Sequence, residues 1–319
     1  MTKYCYKIPA TIANVGPGFD TFGVAIQLYN TFKLLPVENS RVSSERDLDT
    51  LTATTDCRFP AAFQSIKKSH LKKNILFQSI NAVFKAAGKL PRPFFNVEVA
   101  VDIPVMRGLG SSSSAVAAGL MAANDYLGCT FDSETLIQLG TKIEGHPDNI
   151  TPALTGGFVL CDVETHYPLL WPEAWQVTVI SPSYAVATAQ ARQALPESYP
   201  KADAISTVKK ASLLIHAIHA KKSTAFKNAL EDQLHQPYRQ ALIPEFLPLK
   251  QHLSNGSPAF GTIISGSGST LAVFHHKDHQ KDLVENWILP FFNKAPFNTG
   301  NPVILSTAID NAGALRLFS

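Results

Sequence analysis

The sequence predicts an α+β protein of two domains. Its 319 residues exceed the roughly 150 residues of an average single domain. Strand-like runs and helix-like stretches mix in both halves, without the regular strand–helix alternation of a doubly wound sheet. The proline-rich stretch 167–175 is typical of a crossing between domains. We therefore expect one domain at residues 1–165 and a second at 166–319.

Strand signals dominate the first hundred residues. Apolar and polar residues alternate over 95–103, a period of two that predicts a strand with one buried face. Strand-like runs also lie at 4–8 and 22–35, while the polar stretch 38–55 is expected to form strands and exposed turns at a sheet edge. The apolar spacing over 74–87 predicts a helix.

Later elements follow the same signals. Helices are predicted over 133–144, near 208–218 and over 281–291. Asp132 or Ser133 is the N-cap of the first of these. The remaining strands are predicted at 158–163, 175–180, 259–264, 270–274, 303–310 and 314–318.

The most informative feature is a loop rich in glycine and serine between a strand and a helix. Gly108 and Gly110 permit the left-handed backbone and the close approach that an anion needs, and four serines follow at 111–114. An apolar stripe from Val116 to Leu127 predicts the helix, so the serines lie on its first turn. There the N–H groups lack intrahelical partners and the helix dipole is positive. The loop therefore predicts a phosphate site, although an N-cap with spare serines has the same local sequence.

Other phosphate and nucleophile motifs do not fit this loop. No lysine follows Gly110 as a Walker A loop requires, and Ser113 stands where a dinucleotide loop has its third glycine. The loop also lacks the G-x-S-x-G pattern of a nucleophile elbow.

Composition and charge exclude several classes of partner. A formal net charge of +3 over 319 residues is too small to predict nucleic-acid binding, but it is compatible with small anionic ligands. No stretch reaches the ~20 uninterrupted apolar residues of a membrane span, and no apolar run of signal-peptide length precedes Pro9. The cysteines, Cys5, Cys57, Cys129 and Cys161, have no metal-ligand spacing. We therefore expect a cytoplasmic protein that binds neither nucleic acid nor membrane.

Three further segments concentrate polar residues at turns. The first, 9–20, places Asn14 and Asp20 across a Gly-Pro-Gly turn, either as the rim of a pocket or as local caps. The second, 144–149, holds two acids, a histidine and an amide, and this density favours a functional site over a polar loop. The third, 265–269, is either a hairpin turn or a backbone loop that approaches the phosphate loop.

Three motifs occur in a fixed order: PATIANVGPGFD at 9–20, PVMRGLGSSS at 104–113 and ISGSGST at 264–270. In this order they resemble the signature segments of the GHMP kinases, named for galactokinase, homoserine kinase, mevalonate kinase and phosphomevalonate kinase. Within that group the homoserine kinases are favoured by three runs: EGHPDN at 144–149, TAQAR at 188–192 and HQPYR at 235–239.

The resemblance implies the GHMP kinase fold. That fold has an N-terminal domain like the second domain of ribosomal protein S5, a C-terminal ferredoxin-like domain, and an active site between them. The implied reaction is the ATP-dependent phosphorylation of the side-chain hydroxyl of L-homoserine, a step of threonine biosynthesis, with Mg²⁺ as the metal. A homodimer is the expected assembly of such an enzyme.

The resemblance also implies roles for individual residues. Asn74 would contact adenine, and the phosphates would lie on Arg107, Gly108, Leu109, Gly110, Ser111, Ser112 and Ser113. The Mg²⁺ ligands would be Ser112 and Glu144, since the ion prefers hard oxygens. The substrate-binding residues would be Asn14, Asp20, Thr188, Arg192 and Arg239. The catalytic residues would be Asn149, His146 and Asp148.

The charges of an amino acid agree with these roles. A guanidinium pairs bidentately with a carboxylate, so Arg192 and Arg239 suit the α-carboxylate of homoserine. Asp20 suits the α-ammonium. Asn149 and His146 would orient the hydroxyl, and a site that hydrogen-bonds a hydroxyl discriminates strongly against analogues that lack it.

The sequence leaves the proton acceptor open. Mevalonate-type relatives offer an Asp where this chain has Asn149, and an amide cannot be a base. Phosphoryl transfer through a loose transition state needs mostly positioning and charge stabilisation. We therefore expect transfer without a dedicated protein base, with the phosphate itself receiving the proton, and Asp148 is the alternative base.

Two other functions compete with this interpretation. Another GHMP kinase would act on mevalonate or a sugar, but Arg192, Arg239 and Asn149 argue against it. A catalytically silent binding protein of the same fold would be free to lose the glycines and hydroxyls of the phosphate loop, which are intact here.

Overall fold

The computed structural model describes residues 3–37, 49–54, 74–162, 164–297 and 301–317. The strands are β1 (Tyr4–Ala13), β2 (Phe22–Val37), β3 (Thr50–Thr54), β4 (Phe94–Ala100), β5 (Phe158–Cys161), β6 (His166–Leu169), β7 (Trp175–Ser181), β8 (Ala259–Ile264), β9 (Leu271–His276), β10 (Val303–Thr307) and β11 (Leu315–Arg316). The helices are α1 (Ile75–Ala86), α2 (Ser111–Tyr126), α3 (Ser133–Glu144), α4 (Ile150–Thr155), α5 (Thr188–Gln193), α6 (Lys201–His219), α7 (Ser223–Ala229), α8 (Gln236–Arg239), α9 (Phe246–Ser254), α10 (Gln280–Asp282) and α11 (Leu289–Phe292).

The larger sheet is built around the long strand β2. Its second half pairs with β4 and its first residues pair with β5, while β1 lies along its other edge. These pairs are antiparallel, and β3 runs parallel to β4. Helices α1 and α2 pack on each other in a core that includes Phe77, Phe84, Phe95 and Leu120. The chain therefore passes from β4 through the serine-rich loop into a helix that is anchored in this core.

The smaller sheet has the strand order β10-β7-β9-β8, and every pair in it is antiparallel. In chain order its strands are the fourth, first, third and second. Helices lie between its first and second strands, and again between its third and fourth. This β-α-β-β-α-β arrangement confirms the ferredoxin-like topology expected for the second half of the chain.

One aromatic cluster joins the two sheets. Phe158 of the larger sheet contacts Trp171 at a ring-centroid distance of 5.8 Å, and Trp171 contacts Phe274 of the smaller sheet at 5.6 Å. Phe226 of α7 completes the cluster, since its ring lies 5.1 Å from those of Trp175 and Phe274. These buried rings are part of one continuous core, so the two sheets are held in a fixed relation to each other.

The end of the chain returns to the larger sheet. Strand β11 pairs with β1, with Tyr6 opposite Arg316. Asp125 of α2 accepts hydrogen bonds from both, at 2.8 Å from the Tyr6 hydroxyl and at 2.8 and 2.7 Å from the Arg316 guanidinium. Strand β6 of the second half also belongs to this sheet, beside β5. The expected domain boundary at residues 165 and 166 stays a prediction.

Several predicted elements differ from the structure at their ends. Strand β1 runs on to Ala13 instead of ending at residue 8, because a β-bulge between Pro9 and Ala10 accommodates a residue that cannot donate to the ladder. The strand predicted over 95–103 ends at Ala100, where Asn30 takes over the backbone hydrogen bonds.

Four other predictions differ from the structure or lie partly outside the described residues. The helix predicted over 281–291 contains a π-helical stretch, Leu283–Ile288. The strand predicted over 303–310 ends at Thr307. Most of the polar stretch 38–55 and residue 318 lie outside the described residues. Among the helices that are described, none is both long and apolar enough to cross a membrane.

Candidate active site

A cavity of about 480 Å³ lies between the serine-rich loop and the helices of the second half. Every site residue predicted from the sequence lines it. They are Asn14, Asp20, Asn74, Arg107, Gly108, Leu109, Gly110, Ser111, Ser112, Ser113, Glu144, His146, Asp148, Asn149, Thr188, Arg192 and Arg239. Segments that are far apart in sequence thus form one site, and the role of each residue stays a prediction.

The serine-rich loop has the backbone of an anion site. Gly110 is the N-cap of α2 with φ 67°, and residues 111–114 form the first turn of that helix. The loop is held from two sides, because Thr11 N–H donates to Leu109 O at 3.2 Å and Ser265 Oγ donates to Gly108 O at 2.6 Å. The first turn of α2 therefore presents its N–H groups and positive dipole end to the cavity.

The segment 265–269 approaches the phosphate loop. This was one of the two possibilities that the sequence left open, the other being a simple hairpin turn. A Cβ on Gly108 would lie 2.2 Å from the carbonyl oxygen of Ser265 and 2.9 Å from the amide nitrogen of Gly268. Thr270 N–H also donates to Arg107 O at 3.1 Å. Only glycine at position 108 permits this backbone-to-backbone contact.

Asn30 supports the phosphate loop through hydrogen bonds to residues before and after it, a role that was not predicted from the sequence. Its side chain is buried, and its Oδ1 accepts the N–H groups of Asp102 and Ile103 at 2.9 Å each. Its Nδ2 donates to Ser114 Oγ at 3.0 Å. A lone asparagine in the middle of a strand carries no local signal of this role, since its partners are more than 70 residues away.

One end of the cavity is apolar. Phe32, Leu51, Val99 and Val101 line it, beside the start of α1. Asn74 is the N-cap of that helix and accepts the Leu76 N–H at 3.0 Å. This apolar slot, with the Asn74 amide beside it, suits a flat heteroaromatic ring.

Hard oxygen donors meet at the end of α3. Ser113 Oγ donates a hydrogen bond to Glu144, and Ser112 lies beside it in the cavity wall. Burial raises the pKa of Glu144, against the opposing effects of the Ser113 hydrogen bond and of His146. A carboxylate and hydroxyls next to an anion loop fit Mg²⁺, which takes oxygen ligands and completes its shell with phosphate and water. Among the described residues no cluster of three His, Cys, Asp or Glu side chains is placed to hold a metal.

His146 and Asp148 form a close pair next to Asn149. His146 Nδ1 lies 2.8 Å from Asp148 Oδ1, and the Asp148 side chain is buried. Burial alone would lower the pKa of His146, but the hydrogen bond and charge of Asp148, with Glu144 and Asp20, outweigh it and raise that pKa. The contact with Asp148 therefore favours the protonated form of His146 over the neutral ring.

The amide of Asn149 has a fixed orientation. Thr11 Oγ1 donates to Asn149 Oδ1 at 2.8 Å, and Asn149 Nδ2 lies 3.4 Å from Asp148 Oδ1. Thr11 also holds Leu109 through its backbone N–H. It links the phosphate loop to Asn149, a role that sequence reasoning did not assign to it.

The charged residues opposite the loop are arranged differently from the expectation. Arg192 of α5 forms a two-pronged ion pair with Asp20, at 2.9 and 3.1 Å, where we expected the two to hold opposite ends of a substrate. Arg239 is buried and donates to Gly266 O at 2.9 Å and to Ala191 O at 3.3 Å. The cavity wall opposite the anion loop thus combines one carboxylate with two guanidinium groups.

Comparison with known proteins identifies the family. Residues 74–157 match the family described as GHMP kinases N terminal domain. The chain is 38% identical to a homoserine kinase of Carboxydothermus hydrogenoformans over 84% of this chain and 83% of the relative. It is 32% identical to a homoserine kinase of Deinococcus radiodurans over 98% of this chain and 96% of the relative.

Solved structures agree on the fold. A crystal structure of homoserine kinase from Cytophaga hutchinsonii superposes with a TM-score of 0.83 at 24% identity, over 99% of this chain and 98% of that one. The mevalonate kinase of Methanococcus jannaschii shares the fold at a TM-score of 0.64 and 12% identity, over 97% and 98% of the two chains. The expected GHMP kinase fold is confirmed, and by its similarity to the curated relatives the chain belongs to the homoserine kinase family.

Proposed function

We propose that this chain transfers the γ-phosphoryl group of ATP to the side-chain hydroxyl of L-homoserine. One observation carries the proposal: a single cavity joins the N-terminal end of α2 to a wall that bears Asp20, Arg192 and Arg239. An anion site beside one carboxylate and two guanidinium groups matches a nucleotide and a zwitterionic amino acid. The names of the curated relatives support the same reaction.

The amino acid would lie against the charged wall. Arg239 is buried and already oriented, so it would bind the α-carboxylate first. Asp20 and Arg192, which pair with each other in the structure, would each take the opposite charge of the zwitterion. Thr188, the first residue of α5, and Asn14 also line this cavity. A substrate that lacks either charge would leave one partner of the ion pair without compensation.

ATP would occupy the other side of the cavity. Its phosphates would lie on residues 108–113, where the start of α2 favours negative charge, and its adenine would enter the apolar slot beside Asn74. Ser112 and Glu144 would hold Mg²⁺, which would neutralise part of the triphosphate charge.

The surroundings of Asp148 favour transfer without a dedicated protein base. Its carboxylate is buried and already hydrogen-bonded to His146. In this proposal Asn149 and His146 orient the hydroxyl, and the phosphate receives the proton. The variant Asp148→Asn would then keep measurable kcat, whereas loss of kcat with intact binding of ATP and homoserine would make Asp148 the base.

A coupled assay tests the function itself. ADP release is measured with ATP and Mg²⁺ and with L-homoserine, mevalonate or galactose as the acceptor. We expect release with L-homoserine only. Activity with mevalonate or galactose alone would assign the chain to another GHMP kinase, and activity with none would favour a binding protein of the same fold.

Two expectations from the sequence stay proposals. We expect the enzyme to be a homodimer that works in the cytoplasm. Light scattering during size-exclusion chromatography would measure the assembly, with a mass of twice 34.7 kDa as the expected result.

A further inference from the structure

A buried histidine lies directly behind the substrate arginines. His235, at the start of α8, is fully buried, and its ring stacks on that of Phe19 at a centroid distance of 5.6 Å. The guanidinium groups of Arg239 and Arg192 lie 5.1 and 5.6 Å from the same Phe19 ring. The histidine therefore sits outside the cavity wall but in contact with the groups that form it.

Each ring nitrogen of His235 has a partner that can act only as a hydrogen-bond donor or only as an acceptor. Nε2 lies 2.8 Å from Gly16 O, which can only accept a hydrogen bond. Nδ1 lies 3.4 Å from a terminal nitrogen of Arg239, which can only donate one. His235 is therefore the neutral tautomer with hydrogen on Nε2, since an imidazolium would direct an N–H against the guanidinium. Burial lowers the pKa of His235 in agreement with this assignment, although Asp232 opposes the shift.

The backbone of His235 is equally fixed. The carboxylate of Asp232 accepts the N–H groups of Leu234, His235 and Gln236, at 2.8, 2.9 and 2.7 Å. The Asp232 side chain is itself buried. Because both the backbone and the ring nitrogens of His235 are hydrogen-bonded, its ring can act as a rigid support for a neighbouring side chain.

The Arg239 guanidinium is oriented by three hydrogen-bond acceptors. Its Nη1 donates to Nδ1 of His235 and to the carbonyl of Gly266 at 2.9 Å, and its Nε donates to the carbonyl of Ala191 at 3.3 Å. The Gly266 carbonyl also accepts Asn14 Nδ2 at 3.0 Å, so it ties Arg239 to the turn at the rim of the cavity. Without the histidine acceptor, the guanidinium would be held by two backbone carbonyls alone and would lose its one side-chain partner on Nη1.

We infer that His235 is a positioning residue that holds the Arg239 guanidinium in the orientation that binds the substrate carboxylate. The inference rests on the proposed function, in which that carboxylate belongs to L-homoserine. It assigns to Nδ1 of His235 the role of an acceptor for Arg239, and to Nε2 the separate role of a donor to the 16–18 turn.

Three variants test the hydrogen bonds of the two ring nitrogens separately. His235→Asn places an amide oxygen near the position of Nδ1 and keeps the acceptor for Arg239. His235→Gln places an amide near Nε2 and keeps the donor to Gly16. His235→Leu removes both. The matched control is His275→Leu, because His275 is also fully buried and hydrogen-bonded, but its partners are Thr178 at 2.9 Å and the carbonyl of His276, both in the smaller sheet.

The measurement is the KM for L-homoserine and the KM for ATP, with the melting temperature of each variant. We expect His235→Leu and His235→Gln to raise the homoserine KM about 10- to 100-fold, the range for a lost hydrogen bond to a charged group. The ATP KM should stay within about twofold of wild type, because Arg239 makes no contact with the phosphate loop in this scheme. His235→Asn should restore most of the homoserine affinity, and His275→Leu should lower the melting temperature with an unchanged homoserine KM.

Other outcomes overturn the inference. It fails if His235→Gln binds homoserine like wild type while His235→Asn does not, since the Gly16 contact would then carry the effect. It also fails if both KM values rise together or if His275→Leu raises the homoserine KM as much. Should His235→Leu not fold, the comparison of the Gln and Asn variants decides alone. Wild-type enzyme that releases no ADP with L-homoserine overturns the proposed function, and this inference falls with it.

Discussion

The substitution Gly110→Ala tests the phosphate loop at its tightest point. Gly110 adopts φ +67° as the N-cap of α2, and a Cβ there would lie 1.9 Å from Thr11 Oγ1. The same Cβ would lie 3.2 Å from Asn149 Oδ1. The Thr11 side chain, which must move, orients the Asn149 amide, and the backbone N–H of the same residue holds Leu109. The substitution therefore displaces the phosphate loop, the Asn149 amide, or both.

The size of the effect follows from the geometry. Restoring an ordinary separation between the new Cβ and Thr11 Oγ1 requires a movement of about 1 Å, and misplacement of a catalytic group by 1 Å costs about 100-fold in rate. The left-handed backbone adds a cost of about 1–2 kcal/mol for any residue with a Cβ. We expect kcat/KM for ATP to fall about 100-fold or more in Gly110→Ala.

Gly128 provides a matched control on the same helix. It follows the C-terminal end of α2 with φ +76°, and a Cβ there would have no atom within 4 Å. Gly128→Ala thus carries the same backbone cost without the steric contact, and we expect a lower melting temperature with normal kinetic constants. Steady-state kinetics and thermal unfolding of the two variants make the comparison. Equal kcat/KM values in Gly110→Ala and wild type, with both variants folded, would refute the reasoning.

Three further predictions follow from individual contacts. Thr11→Val should lower kcat about 3- to 10-fold, because one hydrogen bond that positions Asn149 is lost. Thr11→Ser keeps the hydroxyl and should have a kcat near that of wild type. An equal kcat in Thr11→Val and wild type would contradict this role of Thr11. His146 should titrate above its ordinary value of 6.5 in NMR, so its contribution to the free energy of unfolding is complete below pH 6.5 and is lost as pH rises through the raised pKa. Asp148→Asn should lower the pKa of His146, and an unchanged titration would show that the pair is not the cause. Phe226→Ala should destabilise the fold by about 3–5 kcal/mol in urea unfolding, because it opens a cavity in the aromatic cluster between the two sheets, and a loss below 1 kcal/mol would contradict the packing described.

The parts of the site that could be predicted are those encoded locally. The anion loop needs glycine at 108 and 110 and a helix directly after them, and all of this lies within one stretch of sequence. The start of α3 was predicted from Asp132 and Ser133 as candidate N-caps, and Asp132 is the residue that caps the helix. Local chemistry of this kind is visible without knowledge of the fold.

The parts that were missed depend on contacts between distant segments. Asn30 has its partners in the segment just after β4 and on helix α2, so its residue type alone does not reveal its role. The pairing of Arg192 with Asp20 joins residues 172 positions apart. The strand β11 was predicted as a strand, but its return to β1 depends on Asp125 as a common acceptor for Tyr6 and Arg316. Such features require the three-dimensional arrangement.

The most direct test of the account is identification of the product. Enzyme is incubated with ATP, Mg²⁺ and L-homoserine, and the products are followed by ³¹P NMR and mass spectrometry. The account predicts a phosphomonoester on the side-chain oxygen of homoserine, formed in equal amount to ADP. ADP and inorganic phosphate without a phosphorylated amino acid, or phosphorylation of mevalonate in preference to homoserine, would contradict it.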